Sequence, residues 1–254
     1  MNIACIQADI EWENPSANLT HFEELIQKIV PGCDLLILPE MFTTGFTMRS
    51  EAACLPPENF VVEWMKKQAF HLNAAITGSL IIRDNNDIYN RLYFVEPEGK
   101  ISIYDKRHLF RMGGESEHFR AGSKRLIIPF RGWNILPLIC YDLRFPVWSR
   151  NQEDYDLLIY LANWPGIRSD VWNTLLRARA IENQAWVAGV NRVGKDGEEI
   201  DYIGESQFVD PKGRIVSKLN DKESVLQESI SLEELQNFRK KFPAWKDRDS
   251  FILL

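Results

Sequence analysis

The chain has 254 residues, of which 45% are hydrophobic, and its formal net charge is -6 at pH 7. This length allows one or two domains, and the hydrophobic fraction is ordinary for a globular protein with a full core. The acidic balance, with only two short basic clusters at residues 106–108 and 239–241, argues against a nucleic-acid-binding face.

The cysteines, Cys5, Cys33, Cys54 and Cys140, occur singly along the chain. This spacing lacks the close pairs of a zinc site and the density of a disulfide scaffold. The first residues run directly into a strand pattern without a basic leader, and no apolar run approaches the roughly 18 residues that span a bilayer. We therefore expect a reduced, cytoplasmic protein without a membrane segment.

Helix and strand patterns alternate over the first half of the chain. An apolar run at residues 3–8 predicts a strand, and apolar residues at helical spacing predict a helix over 19–29. A second buried strand is predicted at 35–38 and a second helix at 58–71. Three more strands are predicted between turn residues, at 74–82, 88–95 and 101–104.

The second half begins with residues 111–122, a segment rich in Gly and charge that is long enough to cover a pocket. Strands are predicted at 126–130, 133–139, 157–162, 186–190 and near 225–230, and helices from the N-cap Asp170 to 185 and at 232–241. Without a linker or repeat, we expect a single domain over residues 1–254. Residues 242–254 are too apolar for a free tail, and we expect them to pack on the body or on a second subunit.

Cys140 follows the apolar run 135–139, which predicts a strand buried on both faces. Residues 145–148 resemble the first turn of a helix, with Pro146 at a tolerated position. A cysteine between a strand and a helix start can gain nucleophilicity, because the amino end of a helix favours a thiolate. Such a site permits covalent catalysis, although most free cysteines are small buried hydrophobes.

Other polar residues also stand where predicted strands end. Glu40 follows the strand at 35–38, where desolvation can raise the pKa of a carboxyl towards that of a base, and Lys106 follows the strand at 101–104. Asn163 and Trp164 follow the strand at 157–162. Taken singly, Glu40 fits a solvated loop acid equally well, and Lys106 fits a surface cation better than a site residue. Since ligands in α/β sheets sit beyond the carboxyl ends of strands, an acid, a cation and a thiol together predict a covalent hydrolase.

Three segments resemble the motifs of the nitrilase superfamily of carbon-nitrogen hydrolases. They are residues 39–42 (Pro-Glu-Met-Phe), 105–110 (Asp-Lys-Arg-His-Leu-Phe) and 139–146 (Ile-Cys-Tyr-Asp-Leu-Arg-Phe-Pro), and residues 177–184, 191–194 and 204–213 agree in order. Residues 43–46 and 161–165 are similar to the bacterial omega-amidase branch in particular. The resemblance implies an α/β fold, the αββα sandwich, paired into an αββααββα homodimer. It also implies a Glu-Lys-Cys triad that uses no metal and no cofactor.

By motif, the resemblance assigns Glu40 as the general base, Lys106 as the cationic stabiliser and Cys140 as the nucleophile. Glu115 matches the second glutamate of the family, with Glu117 close by as an alternative. The backbone N–H of Tyr141 can donate a second hydrogen bond to an oxyanion beside Lys106.

The omega-amidase resemblance implies a small-molecule substrate, the ω-amide of an α-keto dicarboxylic acid such as α-ketoglutaramate or α-ketosuccinamate. It is cleaved to the keto acid and ammonia through a cysteine thioester. The far end of this substrate is an anion, which calls for a cation in the pocket, and Arg168 is our candidate. Phe42, Phe46 and Trp164 are candidates for the apolar wall.

Other functions are compatible with parts of this pattern. Cys140 could pair with His108 or His118, but the chain lacks the flanking glycines of a nucleophile elbow, and Lys106 would then have no role. Another amidase, a carbamoylase or a nitrilase would share the same triad. A catalytically silent binding module is the alternative of a different class. The sequence lacks a Gly-rich phosphate loop, which argues against a nucleotide-binding site. The spacing of the histidines argues against a zinc site.

Overall fold

Buried runs of the sequence form two six-stranded sheets. The structure is a computed structural model that describes residues 1–252. The strands are β1 (Asn2–Gln7), β2 (Leu35–Ile37), β3 (Ala75–Asp84), β4 (Asp87–Val95), β5 (Ile101–Asp105), β6 (Ile128–Phe130), β7 (Trp133–Ile139), β8 (Leu157–Ala162), β9 (Trp186–Asn191), β10 (Val193–Lys195), β11 (Asp201–Ile203), β12 (Gln207–Val209), β13 (Ile215–Lys218) and β14 (Ser224–Ser229). The helices are α1 (Pro15–Ile26), α2 (Ser50–Ala53), α3 (Phe60–Leu72), α4 (Glu115–His118), α5 (Pro146–Ser149), α6 (Ser169–Asn183) and α7 (Leu232–Lys241).

The first sheet has the strand order β14-β1-β2-β3-β4-β5, and the second has the order β13-β12-β9-β8-β7-β6. Strands β1, β2 and β3 are parallel, as are β7, β8 and β9, while the outer strands of both sheets pair antiparallel. Strands β10 and β11 form a separate hairpin. In each sheet the parallel strands are the central ones, so their carboxyl ends lie at one edge.

Successive residues of a strand face opposite layers, and the core follows this alternation. Ala4 and Ile6 of β1 pack with α1 and α3, whereas Ile3 and Cys5 share a core with the second sheet. The rings of Phe94 on β4 and Phe130 on β6 meet edge to face at 5.5 Å between the two sheets.

Helix α6 covers the outer face of the second sheet. A Cβ at Gly189 of β9 would lie 2.4 Å from Leu176 of α6, so only glycine permits this close approach. With α1 and α3 on the first sheet and α6 on the second, the layers are αββα, which confirms the predicted sandwich.

Side chains cap three of the helices. Asn14, Asn59 and Ser231 each accept a backbone N–H of the first turn of α1, α3 and α7. The expectation that Asp170 caps α6 is wrong, since α6 begins at Ser169 after Arg168 and Asp170 lies within its first turn. An acid there still stabilises the helix through its dipole.

The C-terminal segment contacts the body as far as the structure describes it. Gln184, which ends α6, donates to the carbonyl of Phe242 and accepts from the N–H of Trp245, and Arg248 pairs with Asp154 at 2.9 Å. Leu253 and Leu254, the end of the predicted packing tail, lie outside the described residues. The single domain and the contact with a second subunit stay predictions. Residues 1–252 include no helix with the length and apolarity needed to cross a membrane.

Candidate active site

Cys140 follows β7 directly and begins a 3-10 turn, Cys140–Arg144. Its φ of 43° lies in the left-handed region, which is costly for a residue other than glycine and persists only where surrounding contacts hold it. The predicted helix after the cysteine is the single turn α5, which the 3-10 turn separates from Cys140. The sulfur therefore stands on a strained turn rather than at the end of a long helix.

Glu40 lies just beyond β2 and is fully buried. Its Oε1 accepts hydrogen bonds from Asn90 Nδ2 at 2.7 Å and from Lys106 Nζ at 2.9 Å. Its Oε2 accepts the main-chain N–H of Asn163 at 2.9 Å, and Asn163 Nδ2 donates to the Glu40 carbonyl at 2.6 Å. Both sheets thus hold this carboxylate, since Asn90 is in the first sheet and Asn163 follows β8 of the second.

Lys106 follows β5 and is also fully buried. Its Nζ lies 2.9 Å from Glu40 Oε1 and 2.9 Å from both carboxylate oxygens of Glu115. Burial alone would lower the pKa of Lys106, but the charges of Glu115 and Glu40 outweigh it and raise that pKa. The side chain stays an ammonium, because two anions face one cation.

Glu115 opens the short helix α4 and accepts the N–H of Phe110 as well as the Lys106 ammonium. The pKa of Glu115 is raised above its ordinary value. Burial is the main cause and the charge of Glu40 adds to it, while the charge of Lys106 opposes both. Glu117 is exposed on the same turn. Of the two glutamates that the sequence left open, the structure places Glu115 beside Lys106.

The thiol of Cys140 has a pKa well above its ordinary value. Burial is the main cause, the charge of Glu40 adds to it, and the Lys106 ammonium opposes both. The expectation that the amino end of a helix favours a thiolate at Cys140 is therefore wrong in its net direction. The thiol is protonated at neutral pH and needs a base. Its Sγ lies 3.9 Å from the main-chain carbonyl oxygen of Asn163, the residue whose N–H binds Glu40, so the thiol stands beside that carboxylate.

A cavity of about 480 Å³ reaches Cys140 and Asn163. Most of its wall is aromatic or apolar, with contributions from Trp12, Phe46, Met48, Phe110, Met112, Tyr141, Trp164, Pro165, Ile200 and Tyr202. Three cations, Arg49, Arg144 and Arg168, and two acids, Asp196 and Glu198, also line it. An apolar pocket with a few polar groups is typical of a small-molecule site.

Two of these arginines stack on aromatic rings. The guanidinium of Arg144 lies 5.1 Å from the ring centre of Trp164, and that of Arg168 lies 5.3 Å from the ring centre of Phe110. Within residues 1–252 neither forms an ion pair, whereas Arg49 binds Glu13. Arg144 and Arg168 can therefore bind an anion without first losing a carboxylate partner.

The predicted wall residues separate into two groups. Phe46 and Trp164 line the cavity. Phe42 does not, so the expectation that it forms part of the apolar wall is wrong. Its ring packs 5.4 Å from Phe22 and 6.1 Å from Trp64, in the core between the first sheet and its helices. The chain turns after Glu40, which sends Phe42 to the opposite side of the sheet.

The described cavity wall contains no histidine. His108 Nδ1 lies 2.8 Å from Asp142 Oδ1, and its ring stacks on Phe145. His118 is exposed at the end of α4. Neither histidine is placed as a partner for Cys140, whereas Glu40 is.

Sequence reasoning missed roles for Asn90, Asp142 and Arg144. Asn90 is a polar residue in the middle of a buried strand, which is itself a signal because a buried amide needs partners. Asp142 and Arg144 belong to the segment that carries the nucleophile, but nothing local shows what they contact.

A family model of carbon-nitrogen hydrolases matches residues 2–240. The chain is 48% identical to Omega-amidase YafV of Escherichia coli strain K12 over 254 residues, which cover 100% of this chain and 98% of that protein. It is 35% identical to 2-oxoglutaramate amidase of Bacillus subtilis over 250 residues, which cover 96% of each chain.

Solved structures agree with these relatives. The chain superposes with a TM-score of 0.98 on XC1258 from Xanthomonas campestris, a CN-hydrolase superfamily protein with an arsenic adduct in its active site. The two are 41% identical, and the match covers 100% of this chain and 99% of that chain. Nit3 of Saccharomyces cerevisiae, from branch 10 of the nitrilase superfamily, matches with a TM-score of 0.84 at 25% identity, over 96% and 94% of the two chains.

The protein therefore belongs to the carbon-nitrogen hydrolases of the nitrilase superfamily, in its omega-amidase branch. The predicted family and the predicted sandwich are confirmed.

Proposed function

We propose that the protein is an omega-amidase that hydrolyses the ω-amide of α-ketoglutaramate, and of the shorter α-ketosuccinamate, to the keto acid and ammonia. The relatives named omega-amidase and 2-oxoglutaramate amidase support this substrate class. The observation that carries the proposal is a cavity that reaches the Cys140 thiol and is lined by two arginines able to bind an anion, with a buried acid–lysine–acid cluster next to that thiol.

In the first half-reaction Glu40 takes the Sγ proton of Cys140 as the sulfur attacks the amide carbon. The new C–S bond places a negative charge on the carbonyl oxygen, which Lys106 and the N–H of Tyr141 stabilise. One such donor typically lowers the barrier by about 3 kcal/mol. Glu40 then passes its proton to the nitrogen, the C–N bond breaks and ammonia leaves.

In the second half-reaction Glu40 removes a proton from a water molecule that attacks the thioester carbon. A C–O bond forms, the C–S bond breaks, and the proton returns to the sulfur. One carboxylate therefore serves both half-reactions. Its hydrogen bonds to Asn90 and Asn163 keep it aimed at the same place in each.

Glu115 supports this chemistry through Lys106. With both oxygens 2.9 Å from Nζ, it fixes the direction of the ammonium, and its bond to the Phe110 N–H fixes the loop in turn. A lysine chain has four rotatable bonds, so two carboxylates are needed to keep Nζ in one position.

The arginines explain selection of an anionic acyl group. The α-keto acid end of the substrate carries one carboxylate, and Arg144 and Arg168 present guanidinium groups to the same cavity. We add Arg144 to the predicted Arg168 as a candidate for this contact. Phe46 and Trp164 would face the methylene carbons between the two ends.

We further propose that the protein is a cytoplasmic homodimer of the αββααββα type. All four thiols are free, which suits a reducing compartment. Val147 of α5 and Ile181 of α6 are each 53% exposed, and both are apolar side chains outside the second sheet. Pairing through this helical layer would bury them.

The test is ammonia release from a panel of α-ketoglutaramate, α-ketosuccinamate, glutamine, a simple aliphatic amide and a nitrile. Wild type is run beside Cys140→Ala. We expect turnover of the two keto-amides alone and its loss in the variant. Turnover of another member alone would replace the substrate but keep the site, and silence across the panel would favour a binding module.

A further inference from the structure

Asp142 is a fully buried carboxylate two residues after the nucleophile, and it takes no part in the proposed proton transfers. Its two oxygens accept four hydrogen bonds. Oδ2 accepts the Ile139 N–H at 3.1 Å and the Tyr104 hydroxyl at 2.7 Å. Oδ1 accepts the N–H and the Nδ1 of His108 at 2.9 and 2.8 Å.

These donors come from two places only. Ile139 precedes Cys140 in the second sheet. Tyr104 lies in β5 of the first sheet and His108 lies just beyond that strand, on either side of Lys106. The Tyr104 hydroxyl oxygen also accepts the Arg107 N–H at 3.2 Å and Trp148 Nε1 at 3.0 Å. Asp142 thus joins the turn that carries the sulfur to the segment that carries the ammonium.

Two of the side chains that donate to Asp142, Tyr104 and His108, are held in one state or position by their surroundings. Burial and the charge of Asp142 raise the pKa of Tyr104 well above its ordinary value, so the phenol keeps its proton and donates. The His108 ring stacks on Phe145 at 3.7 Å between ring centres, which holds the exit of the 3-10 turn as well. A carboxylate with four donors in a buried setting is a rigid junction.

The Cys140 backbone needs such a junction. Its left-handed φ is costly and relaxes unless neighbouring contacts hold the turn. Asp142 binds the residue before Cys140 and lies within the same turn, so it fixes the strained residue from both sides.

We propose that Asp142 is a positioning residue that holds the Cys140 sulfur in register with the Lys106 ammonium. This inference rests on the proposed function for its turnover test, but the reactivity of the thiol tests it separately. Because Asp142 touches neither substrate nor sulfur, its loss changes where the thiol stands relative to Lys106 and Glu40.

The decisive variant is Asp142→Asn, which keeps the size of the side chain but removes its charge and two acceptor positions. We expect kcat for α-ketoglutaramate to fall by about 100-fold, since small misplacements of reacting groups have effects of this size. KM is expected to stay within about threefold, because the substrate contacts are intact.

The second readout needs no substrate. Alkylation of Cys140 by iodoacetamide is followed by peptide mass spectrometry as a function of pH, with Cys54 as the internal reference. Because the charges of Glu40 and Lys106 act on the thiol, a displaced sulfur shifts the midpoint of this profile by about half a pH unit or more. If wild type does not hydrolyse the keto-amides, the proposed function fails and this profile alone decides on Asp142.

Asp156→Asn is the matched control. Asp156 is also a buried acid, and it accepts the Asn134 N–H at 3.0 Å and Arg239 Nη1 at 2.9 Å at the start of β8, opposite the end that leads to Asn163. It is expected to lower thermal stability and to leave kcat and the Cys140 profile unchanged. If Asp142→Asn does not fold, Tyr104→Phe removes a single donor and is expected to lower kcat by about tenfold.

Three outcomes would overturn the proposal. The first is an Asp142→Asn protein that keeps kcat within about threefold of wild type. The second is a fall in kcat with an unmoved alkylation midpoint, since Asp142 would then not act through the thiol. The third applies where Asp142→Asn does not fold, and it is full activity in Tyr104→Phe.

Discussion

The main-chain N–H of Asn163 lies 2.9 Å from Oε2 of Glu40, and this bond crosses from the second sheet to the first. A main-chain donor cannot rotate away as a side chain can, so it fixes the plane of the carboxylate. Asn163 also meets the nucleophile, because Cys140 Sγ lies 3.9 Å from its carbonyl oxygen. The geometry of the proposed base is therefore set before any substrate arrives.

Glu40→Gln should stall both half-reactions, because a neutral amide cannot take the thiol proton or activate water. Loss of a general base typically costs about 10²- to 10⁴-fold in rate. Quenched-flow mass spectrometry of the intact protein measures the acyl-enzyme directly. Glu117→Gln, on the exposed side of α4, is the control and should retain full activity. An acyl-enzyme that accumulates at the wild-type rate in Glu40→Gln would contradict a single base.

Cys140→Ala should abolish ammonia release and leave the fold intact, since the change removes the nucleophile from an otherwise unaltered turn. Circular dichroism and thermal melting check the fold. Cys54→Ala is the comparison, because Cys54 is a partly exposed thiol outside the cavity wall. Residual turnover in Cys140→Ala would remove the cysteine from the mechanism.

Arg144→Gln should raise KM for α-ketoglutaramate, and Arg168→Gln should do the same if both arginines bind the carboxylate. A hydrogen bond to a charged group contributes about 1.5–3 kcal/mol, which corresponds to about 10- to 100-fold in affinity. The rate of Cys140 alkylation by iodoacetamide supplies the control and should not change, as that neutral reagent has no carboxylate. Unchanged KM in both variants would show that the anion is bound elsewhere.

The pH dependence of thiol alkylation should reflect the raised pKa of Cys140. Because burial and Glu40 keep the proton on the sulfur, the reactive thiolate becomes abundant only above the ordinary range of a free cysteine, about pH 8.5. Lys106→Gln removes the cation that lowers this pKa, so its profile should move to still higher pH. A wild-type profile with a midpoint near neutral pH would refute the raised value.

Phe42→Leu should lower the free energy of unfolding by about 1–3 kcal/mol, because it opens space in the core around Phe22 and Trp64. KM for the keto-amide should stay near the wild-type value, because the Phe42 ring does not line the cavity. Denaturant unfolding and steady-state kinetics on one preparation separate the two effects. A large rise in KM without a change in stability would restore Phe42 to the substrate wall.

Much of the fold could be predicted because its strands are continuous apolar runs closed in on both faces. Residues 133–139 and 157–162 were predicted with the bounds of β7 and β8. The strand at 126–130 was predicted too long, since β6 pairs only over Ile128–Phe130. Edges of this kind depend on which neighbour supplies hydrogen bonds, and local sequence does not contain that information.

The residues of the candidate site also fall into those that the sequence predicted and those that it did not. Glu40, Lys106 and Cys140 each end a strand, so the rule on strand ends brings them together without coordinates. Asn90 binds Glu40 from another strand of the same sheet, and Asp142 binds Tyr104 and His108 across the gap between the sheets. Contacts between residues so far apart in the chain leave no regular spacing in the sequence. Phe42 was wrongly predicted to line the cavity, because the sequence does not show to which side of the sheet the chain turns after Glu40.

The residues of the site are divided between the two sheets, so the site is complete only when both have folded and packed together. Glu40, Asn90, Lys106 and Glu115 are carried by the first sheet, whereas Cys140 and Asn163 are carried by the second. A chain in which only one sheet has formed has either the acid–lysine–acid cluster without the thiol or the thiol without that cluster. Chains of this length commonly pass through partly folded states. Hydrolytic activity therefore begins when the two sheets dock, and regain of turnover during refolding reports that event rather than the formation of either sheet.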